Sequence, residues 1–398
     1  MRIDVDYYDD SERDLFTESE GYEELEQLVR SGVEIDPFEF LATSMFMEQK
    51  GLPSWYGRDE LRERAMGRLG EFEEYFDCNA SIHARFDASD MENHRIERAG
   101  VGAAISAMDQ AFDTHAADWE KIPVSQDKDL DFRVASTGER FVTVEAKGSI
   151  VEDPTKKTPS ISNHKKHIKE KKEHQAEARG AERLIGTILA IPNDSAHMAK
   201  LWLVDPPINL PFTDPRRFRV LARYRFYERM LRMLGEPRLL IALADRLRVL
   251  DRLTDIAVLD SVPLAKVNGE RFKVPHSFFA PPRAHTPDHR ISAIPTWVGD
   301  DLYLLGLHVR VIRVIVSQSH QAICEWSAPP SRRSRRFVVP MTPSQARRLG
   351  FEVYDEESER LVTRTVHVDT WLDSSGAVLG RHLAPPLADR PPADPRPA

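Results

Sequence analysis

Two short runs of alternating β-formers, Leu130–Ala135 and Arg140–Ala146, flank the turn Ser136-Thr137-Gly138-Glu139 and constrain this chain more than any other stretch. In a strand, positions i and i+2 share a face. Phe141, Thr143, Glu145 and Lys147 therefore lie on one face of the second strand, and Val142, Val144 and Ala146 on the other, buried one. On the first strand Asp129, Asp131 and Arg133 point one way, and Leu130, Phe132 and Val134 the other. Across the hairpin this phase brings Asp131 near Glu145, with Lys147 beside them. Two carboxylates so placed repel each other unless a divalent cation lies between them, and an oxygen donor set suits Mg2+ or Mn2+. The Ala146 carbonyl, at the end of the strand, offers a third ligand. Such an ion polarises a phosphoryl oxygen and lowers the pKa of a bound water. Lys147 is placed to orient that water and to add positive charge where a phosphodiester transition state gathers negative charge.

The tripeptide alone carries nothing. Glu48-Gln49-Lys50 and Glu170-Lys171-Lys172 repeat the Glu-x-Lys pattern, but both lie in helical stretches, where i and i+2 diverge. Context distinguishes the Glu145 copy. A helix over 93–112, which Asn93 can cap, precedes the hairpin and lines one face with Ile96, Gly100, Ala103, Ala107 and Ala111, small enough to approach a sheet closely. A lysine-rich helix over about 162–179, closed by Gly180, follows it, and two apolar strands come next, Leu184–Ile191 and Lys200–Val204. The order of helix, hairpin strands, helix and strand is that of an α/β sandwich with a mixed sheet.

Asp131 followed by Glu145-Ala146-Lys147 resembles the PD-(D/E)XK nuclease superfamily, over about residues 92–205. The resemblance implies a restriction-endonuclease-like αβββαβ core with a mixed sheet, Trp119–Val124 supplying its first strand. It implies that Glu97, on the first helix, joins the metal shell, with Asp131 and Glu145 as metal ligands and Lys147 as the catalytic lysine. One departure is visible: Leu130, not proline, precedes Asp131. The helix after the motif borders the active site in that family, and a Lys, Gln or His on it contacts the substrate phosphate. Lys165, Lys166, Lys169 and Lys172 form a broad basic face there, with His167 and Gln175 as further candidates. The same lysines also stand at helical spacing from Glu170, Glu173 and Glu177, the pattern of a solvated helix. The family's setting implies restriction or phage and mobile-element defence, with DNA rather than RNA as substrate and a second copy or a partner protein in the assembly.

Charge distribution bears on that substrate. The 398-residue chain has a net charge of −9, but its charges are segregated. Eleven acidic side chains lie between Asp4 and Glu26, whereas Lys156–Lys172, Arg216–Arg232 and Arg332–Arg336 are basic blocks. The Arg216–Arg232 block interleaves Phe218, Tyr224, Phe226 and Tyr227, which suits either phosphate contact with base stacking or an amphipathic helix with an aromatic core. Arg332 and Arg333, beside Pro329-Pro330, read as an exposed loop and as candidate nucleic-acid contacts. The acidic N-terminus reads as an arm able to cover a basic groove. No apolar run is long enough for a membrane span, no signal-peptide core is present, and two cysteines make neither a disulfide framework nor a zinc site, so a cytoplasmic location is expected. No Gly-rich phosphate loop is present, so the chain alone is not expected to hydrolyse ATP.

Five regions follow: an acidic helical region over 1–91, the nuclease-like core over 92–210, a helical extension over 211–262, a β-rich domain over 263–383 with a strand at Val309–Val316, and a disordered tail over 384–398. The leading expectation is a Mg2+-dependent endodeoxyribonuclease. The alternative is a catalytically inactive nuclease-fold subunit that binds DNA or serves as a scaffold in a larger complex.

Overall fold

Ile3, Val5 and Tyr7 alternate with Asp4 and Asp6, and this period of two makes a strand, β1 (Arg2–Tyr7), with its apolar set buried. Two acidic helices follow, α1 (Asp10–Thr17) and α2 (Tyr22–Ser31), then β2 (Val33–Glu34) and a hairpin of β3 (Phe76–Cys78) and β4 (Ile82–Ala84). Helix α3 (Asn93–Phe112) leads into β5 (Trp119–Lys121), β6 (Phe132–Ala135) and β7 (Phe141–Val151). Helix α4 (Pro159–Arg179) leads into β8 (Arg183–Pro192) and β9 (Lys200–Val204). The structure is a computed structural model, which describes residues 1–17, 22–40, 43, 72, 74–87, 93–121, 132–135, 141–179, 183–204, 215–235, 237–262, 266–267, 270–271, 283–298, 300–353 and 360–382.

The strands form a seven-stranded mixed sheet in the order β2-β1-β9-β8-β7-β6-β5. Strands β5, β6 and β7 are antiparallel neighbours, β7 and β8 run parallel through the α4 crossover, and β9 is antiparallel to β8. The parallel β7–β8 pair is covered on both faces, as the βαβ arrangement requires.

The N-terminus corrects two expectations. Residues 1–91 are not purely helical, and the acidic stretch is not a free arm. Strand β1 adds in parallel to β9, with Val5 opposite Leu201 and Tyr7 opposite Leu203. Its acidic residues pair locally, Asp6 with Lys200 at 2.7 Å and Asp4 with Arg2 at 3.5 Å. Alternation of apolar residues, not charge, decides where this segment goes. Most of residues 41–73 of this region lies outside the described residues.

Helix α3 crosses β7 at backbone contact distance. A Cβ on Gly100 would stand 2.5 Å from the Lys147 carbonyl oxygen, and a Cβ on Gly148 would stand 2.2 Å from that of Ile96. Glycine is required on both sides of the crossing because the obstacle in each case is backbone.

Beyond β9 come α5 (Pro215–Leu234) and α6 (Pro237–Arg252). The aromatics of α5 are core: Tyr224, Phe226 and Tyr227 are buried. Several of its arginines are internal as well. Arg223 is buried and grips the buried Asp118 through Nε at 2.6 Å and Nη2 at 3.0 Å, and Arg219 Nε adds 2.9 Å. Arg223 Nη1 also donates to the carbonyls of Ile323 and Cys324 in α8 (His320–Glu325), a helix preceded in the chain by α7 (Val309–Ser317). Arg225 pairs with Glu120. Of the two readings open for this block, the core helix holds.

Two short strands, β10 (Lys266–Val267) and β11 (Glu270–Arg271), pair with each other. Strands β12 (Ala284–His285), β13 (Ile291–Val298), β14 (Asp301–His308), β15 (Ser331–Met341), β16 (Val362–Leu372) and β17 (Ala377–His382) close a barrel in the order β12-β13-β14-β17-β16-β15. A short helix, α9 (Pro343–Arg348), follows β15. The barrel interior holds Ala293, Leu302, Leu304, Phe337, Val339 and Val368. Two local expectations change here. Val309–Ser317 is helical, because Val309, Ile312 and Ile315 bury at a spacing of three while Arg310 and Arg313 face outward. Arg332–Arg336 are strand, not loop, in register with His367–Trp371 of β16.

The chain divides into two compact units. One comprises Met1–Arg229, Leu243–Pro263 and Gln318–Glu325, and the other Met230–Ala242, Leu264–Ser317 and Trp326–Ala398. The first therefore contains the whole mixed sheet together with the N-terminal elements, rather than residues 92–210 alone, and the barrel belongs to the second. The tail over 384–398 lies outside the described residues. No helix among the described residues is long and apolar enough to cross a membrane.

Two outcomes follow from this packing. Gly148→Ala should destabilise the chain by about 1–3 kcal/mol, since overpacking meets backbone that has little room to shift; urea unfolding followed by circular dichroism measures it. Asp118 gives a pH signature. Burial alone would raise its carboxyl, but the charges of His115, Arg223 and Arg219 outweigh burial and hold it well below the usual carboxylate range. A depressed carboxyl contributes stability that is full above about pH 4 and is lost as pH falls toward the folded value. Asp118→Asn should therefore cost about 3–5 kcal/mol at pH 7, and the gap to wild type should narrow only below about pH 4.

Candidate active site

Strand β7 carries the motif in the phase expected. Val142, Val144 and Ala146 are buried on the face that Gly148 presents to α3. Thr143, Glu145, Lys147 and Ser149 occupy the other face, and α4 covers it. Ser149 Oγ lies 2.6 Å from Ser160 Oγ at the start of α4. Gly186 of β8, in register with Glu145, lets Ile168 of α4 approach, since a Cβ there would stand 2.5 Å from the Ile168 Cγ2. Beneath α4, Ile161, Ile168, Ile188, Ala190, Trp202 and Val204 form a continuous apolar layer.

Glu145 is therefore not on an open groove wall: its side chain is 0% exposed. Its Oε1 accepts two ammonium groups, Lys147 Nζ at 2.8 Å and Lys171 Nζ at 2.5 Å. A carboxylate taken out of water needs such partners, because its desolvation costs several kcal/mol if uncompensated. The lysines remain partly exposed, Lys147 by 15% and Lys171 by 24%, so the cluster has a buried acidic floor and a solvent-accessible cationic rim.

His164 joins this cluster. Burial and the Lys147 charge push its imidazole below the ordinary histidine value, against a hydrogen bond to the Gly148 backbone and the charge of Glu97, which act the other way. Glu97, exposed on α3, and Lys147 thus both lie within electrostatic reach of one imidazole.

Lys171 and His164 were missed as site residues in the sequence, yet the signal is present. Ile161, His164, Ile168 and Lys171 stand at i, i+3, i+7 and i+10, one stripe of a helix, and the two isoleucines are buried. Two polar residues on an otherwise apolar stripe face whatever the helix covers, here β7. The broad lysine face points elsewhere. Lys165 Nζ contacts Asp9 Oδ2 at 2.8 Å and Glu12 Oε1 at 2.7 Å, and Lys169 Nζ contacts Glu12 Oε1 at 2.9 Å. Glu12 is buried. Burial opposes both charges of the Lys165–Asp9 pair, but the pairing wins, raising the Lys165 ammonium and holding the Asp9 carboxyl well below its usual range. Lys165 and Lys169 thus fasten α4 to α1 rather than offering a free phosphate-binding face. Lys166 and His167 are exposed beside Glu170, at 3.9 and 3.5 Å.

Asp131 and the side chains of Lys172 and Gln175 lie outside the described residues. Ala146 is buried in register with Thr187. Arg332 and Arg333 are exposed on β15, in the other unit. Among the described residues no group of three His, Cys, Asp or Glu side chains gathers to hold a metal ion. The donors in hand are the buried Glu145 carboxylate and, at the rim, Glu97 and His164. This set fits a divalent cation only with a further carboxylate, the part assigned to Asp131 by its spacing. No family model, curated protein or solved structure matches the chain.

The cluster can be checked by titration. In Lys147→Met the His164 pKa should rise toward the ordinary value of about 6.5, because a neighbouring positive charge is removed. In Glu97→Gln it should fall further. Histidine-selective NMR reads both shifts, and an unchanged His164 in both variants would mean that the three groups do not share a site.

Proposed function

We propose that this chain is a metal-dependent nuclease that hydrolyses phosphodiester bonds in DNA, with its reaction centre at Glu145 and Lys147. The observation that carries the reading is a solvent-excluded glutamate on a central strand, paired two residues on with a partly exposed lysine and bordered by a helix that delivers a second ammonium. The succession α3, β5, β6, β7, α4, β8 supports a restriction-endonuclease-like core, as do the antiparallel meander and the parallel crossover. Asp131, the residue before β6, is the second carboxylate of the proposal, and Glu97 assists from α3. When bound, Mg2+ or Mn2+ supplies a polarised phosphoryl oxygen and a water of lowered pKa.

The chain's own residues do the rest. Glu145, with Asp131 and the Ala146 carbonyl, would hold the cation. Lys147, anchored on Glu145 Oε1, keeps its ammonium at the solvent edge, where it orients the attacking water and meets the negative charge of the transition state. Lys171 holds Glu145 in place from the helix side and contributes a second positive charge to the phosphate. His164, with its pKa depressed, is largely neutral at pH 7 and can accept a proton beside Lys147. Defence against foreign DNA, alone or with a partner protein, is the setting that the resemblance suggests.

A second reading has an observation of its own. Glu145 is wholly buried and already compensated by two lysines, and that arrangement suits a nuclease-like fold that binds DNA without cleaving it.

One experiment separates the two. The full chain is incubated with Mg2+, with Mn2+ or with chelator on plasmid, linear duplex DNA, single-stranded DNA and RNA. Metal-dependent cleavage should appear on DNA and fall by about 100-fold or more in Lys147→Ala and in Glu145→Gln, with melting curves close to wild type. Undiminished cleavage by Lys147→Ala would sink the nuclease reading. Absence of cleavage, together with no calorimetric Mn2+ binding that depends on Asp131 and Glu145, would favour the binding subunit.

A further inference from the structure

The basic run of β15 does not end in the barrel wall. From Phe337 onward, alternate residues fill the interior: Phe337, Val339 and Met341 are all buried. Carried back along the strand, the same period of two places Arg335 and Arg333 in the inward phase, at one mouth of the barrel. Arg335 is held there: its Nε donates to Thr370 Oγ1 at 3.1 Å and its Nη2 to Ser331 Oγ at 3.2 Å.

Other strands bring cations to the same mouth. Strand β13 begins at Ile291, opposite His308, the last residue of β14. Arg290 closes the turn before β13 and pairs with Asp288 at 3.2 Å, with 72% of its side chain exposed. The Arg310 backbone N–H donates to His308 Nδ1 at 3.2 Å, and its side chain is exposed. Burial, then Arg310, Arg335 and Arg290, push the His308 imidazole down, with Asp288 opposing. Burial and Arg333 lower Arg335, again with Asp288 opposing. Arg290, Arg310 and Arg335 thus gather around His308, with Arg333 beside Arg335 and Asp288 as the opposing carboxylate.

Like charges gathered in this way weaken the fold through repulsion, and nothing in barrel packing asks for them. A polyanion relieves that repulsion. Arg333 and Arg335 are about 7 Å apart along the strand, a spacing of the same order as that between successive phosphates of a nucleic-acid strand. Arg332 and Arg336 are exposed on the outer face of the same segment and extend the ridge to about 13 Å, longer than a single phosphate.

We propose that this mouth of the barrel is a sequence-independent binding surface for the phosphate backbone of nucleic acid. It belongs to the barrel unit and does not depend on hydrolysis at Glu145, so it stands or falls separately from the nuclease reading.

The test uses the full chain in chelator, with fluorescein-labelled duplex and single-stranded DNA of about 30 nucleotides, by anisotropy across a salt series near 100 mM. Arg310→Gln with Arg333→Gln should weaken binding about tenfold or more and reduce the slope of log affinity against log salt by about two, near 0.9 for each phosphate no longer neutralised. Arg347→Gln with Arg348→Gln, which removes the same charge after the opposite end of β15, should leave that slope unchanged. The pair Arg310→Lys and Arg333→Lys should keep binding. Failure of the wild-type chain to bind either DNA overturns the proposal. So does wild-type binding by the glutamine pair at the mouth, an equal loss in the control pair, or loss in the lysine pair.

Discussion

A carboxylate buried in the middle of a sheet sets the terms for the elements around it. Glu145 is solvent-excluded on β7, so positive charge has to be brought to it, and Lys147 on the same strand supplies one ammonium. The second comes from Lys171, which makes the seating of α4 a condition of the cluster. Helix α4 is in turn seated by two devices: Ile168, which packs over Gly186, and lysines that grip Glu12 of α1 and Asp9 just before it. Helix α1 is held by the hydrogen bonding of β1 to β9. The acidic N-terminus, which in the sequence looks like a solubilising or masking arm, is therefore a structural member two steps removed from Glu145.

What could be read from the sequence follows from where each signal resides. The phase of Glu145 and Lys147 is a property of one strand, so alternation sufficed to find it; that both faces of β7 are covered, with Thr143 and Glu145 as buried as Val142 and Val144, was not legible from alternation. The close approach of α3 was legible because Gly100 is a local deficit of side chain. The role of Lys171 was not, because it depends on the rotation of one helix over another element. A count of lysines favours the broad face of Lys165 and Lys169, which is taken up by α1. The more specific clue was the polar pair His164 and Lys171 interrupting the isoleucine stripe. Strand β1 was masked by its own composition: Asp4 and Asp6 dominate the eye, while Ile3, Val5 and Tyr7 decide the burial. Val309–Ser317 shows the opposite ambiguity, since Val-Arg-Val alternates over three residues and becomes helical only when Ile312 and Ile315 are counted.

The arginines divide by environment rather than by number. On α5, Arg219 and Arg223 are closed around Asp118, and Arg217 donates to the Leu250 carbonyl. Guanidinium suits this work, since its planar donors satisfy a carboxylate and two carbonyls at once, as Arg223 does. Such arginines are spent on internal hydrogen bonds, and Asp118 offsets part of the charge of Arg219 and Arg223. Of the Arg332–Arg336 run, Arg332, Arg333 and Arg336 are exposed to solvent, and Arg335 is partly buried. Alternate members of the run project from both faces of a strand whose partner residues on β16 include Asp369 but mostly uncharged side chains.

This contrast bears on how a chain of net charge −9 can meet a polyanion. Long-range attraction follows local potential rather than total charge, and it decays over roughly 10 Å at ordinary ionic strength. The acids of the N-terminal stretch are partly neutralised by Lys165, Lys169, Lys200 and Arg30, so they weaken that potential less than their number suggests. The cations at the barrel mouth have Asp288 against them, and four of them are arginines that stay charged at any physiological pH. His308 is pushed below the ordinary histidine value by burial first and by those arginines second, and its Nδ1 accepts from the Arg310 backbone N–H. The positive potential of the mouth is thus fixed by guanidinium groups and should vary with salt far more than with pH, the behaviour expected of a surface that holds a phosphate backbone without reading its sequence.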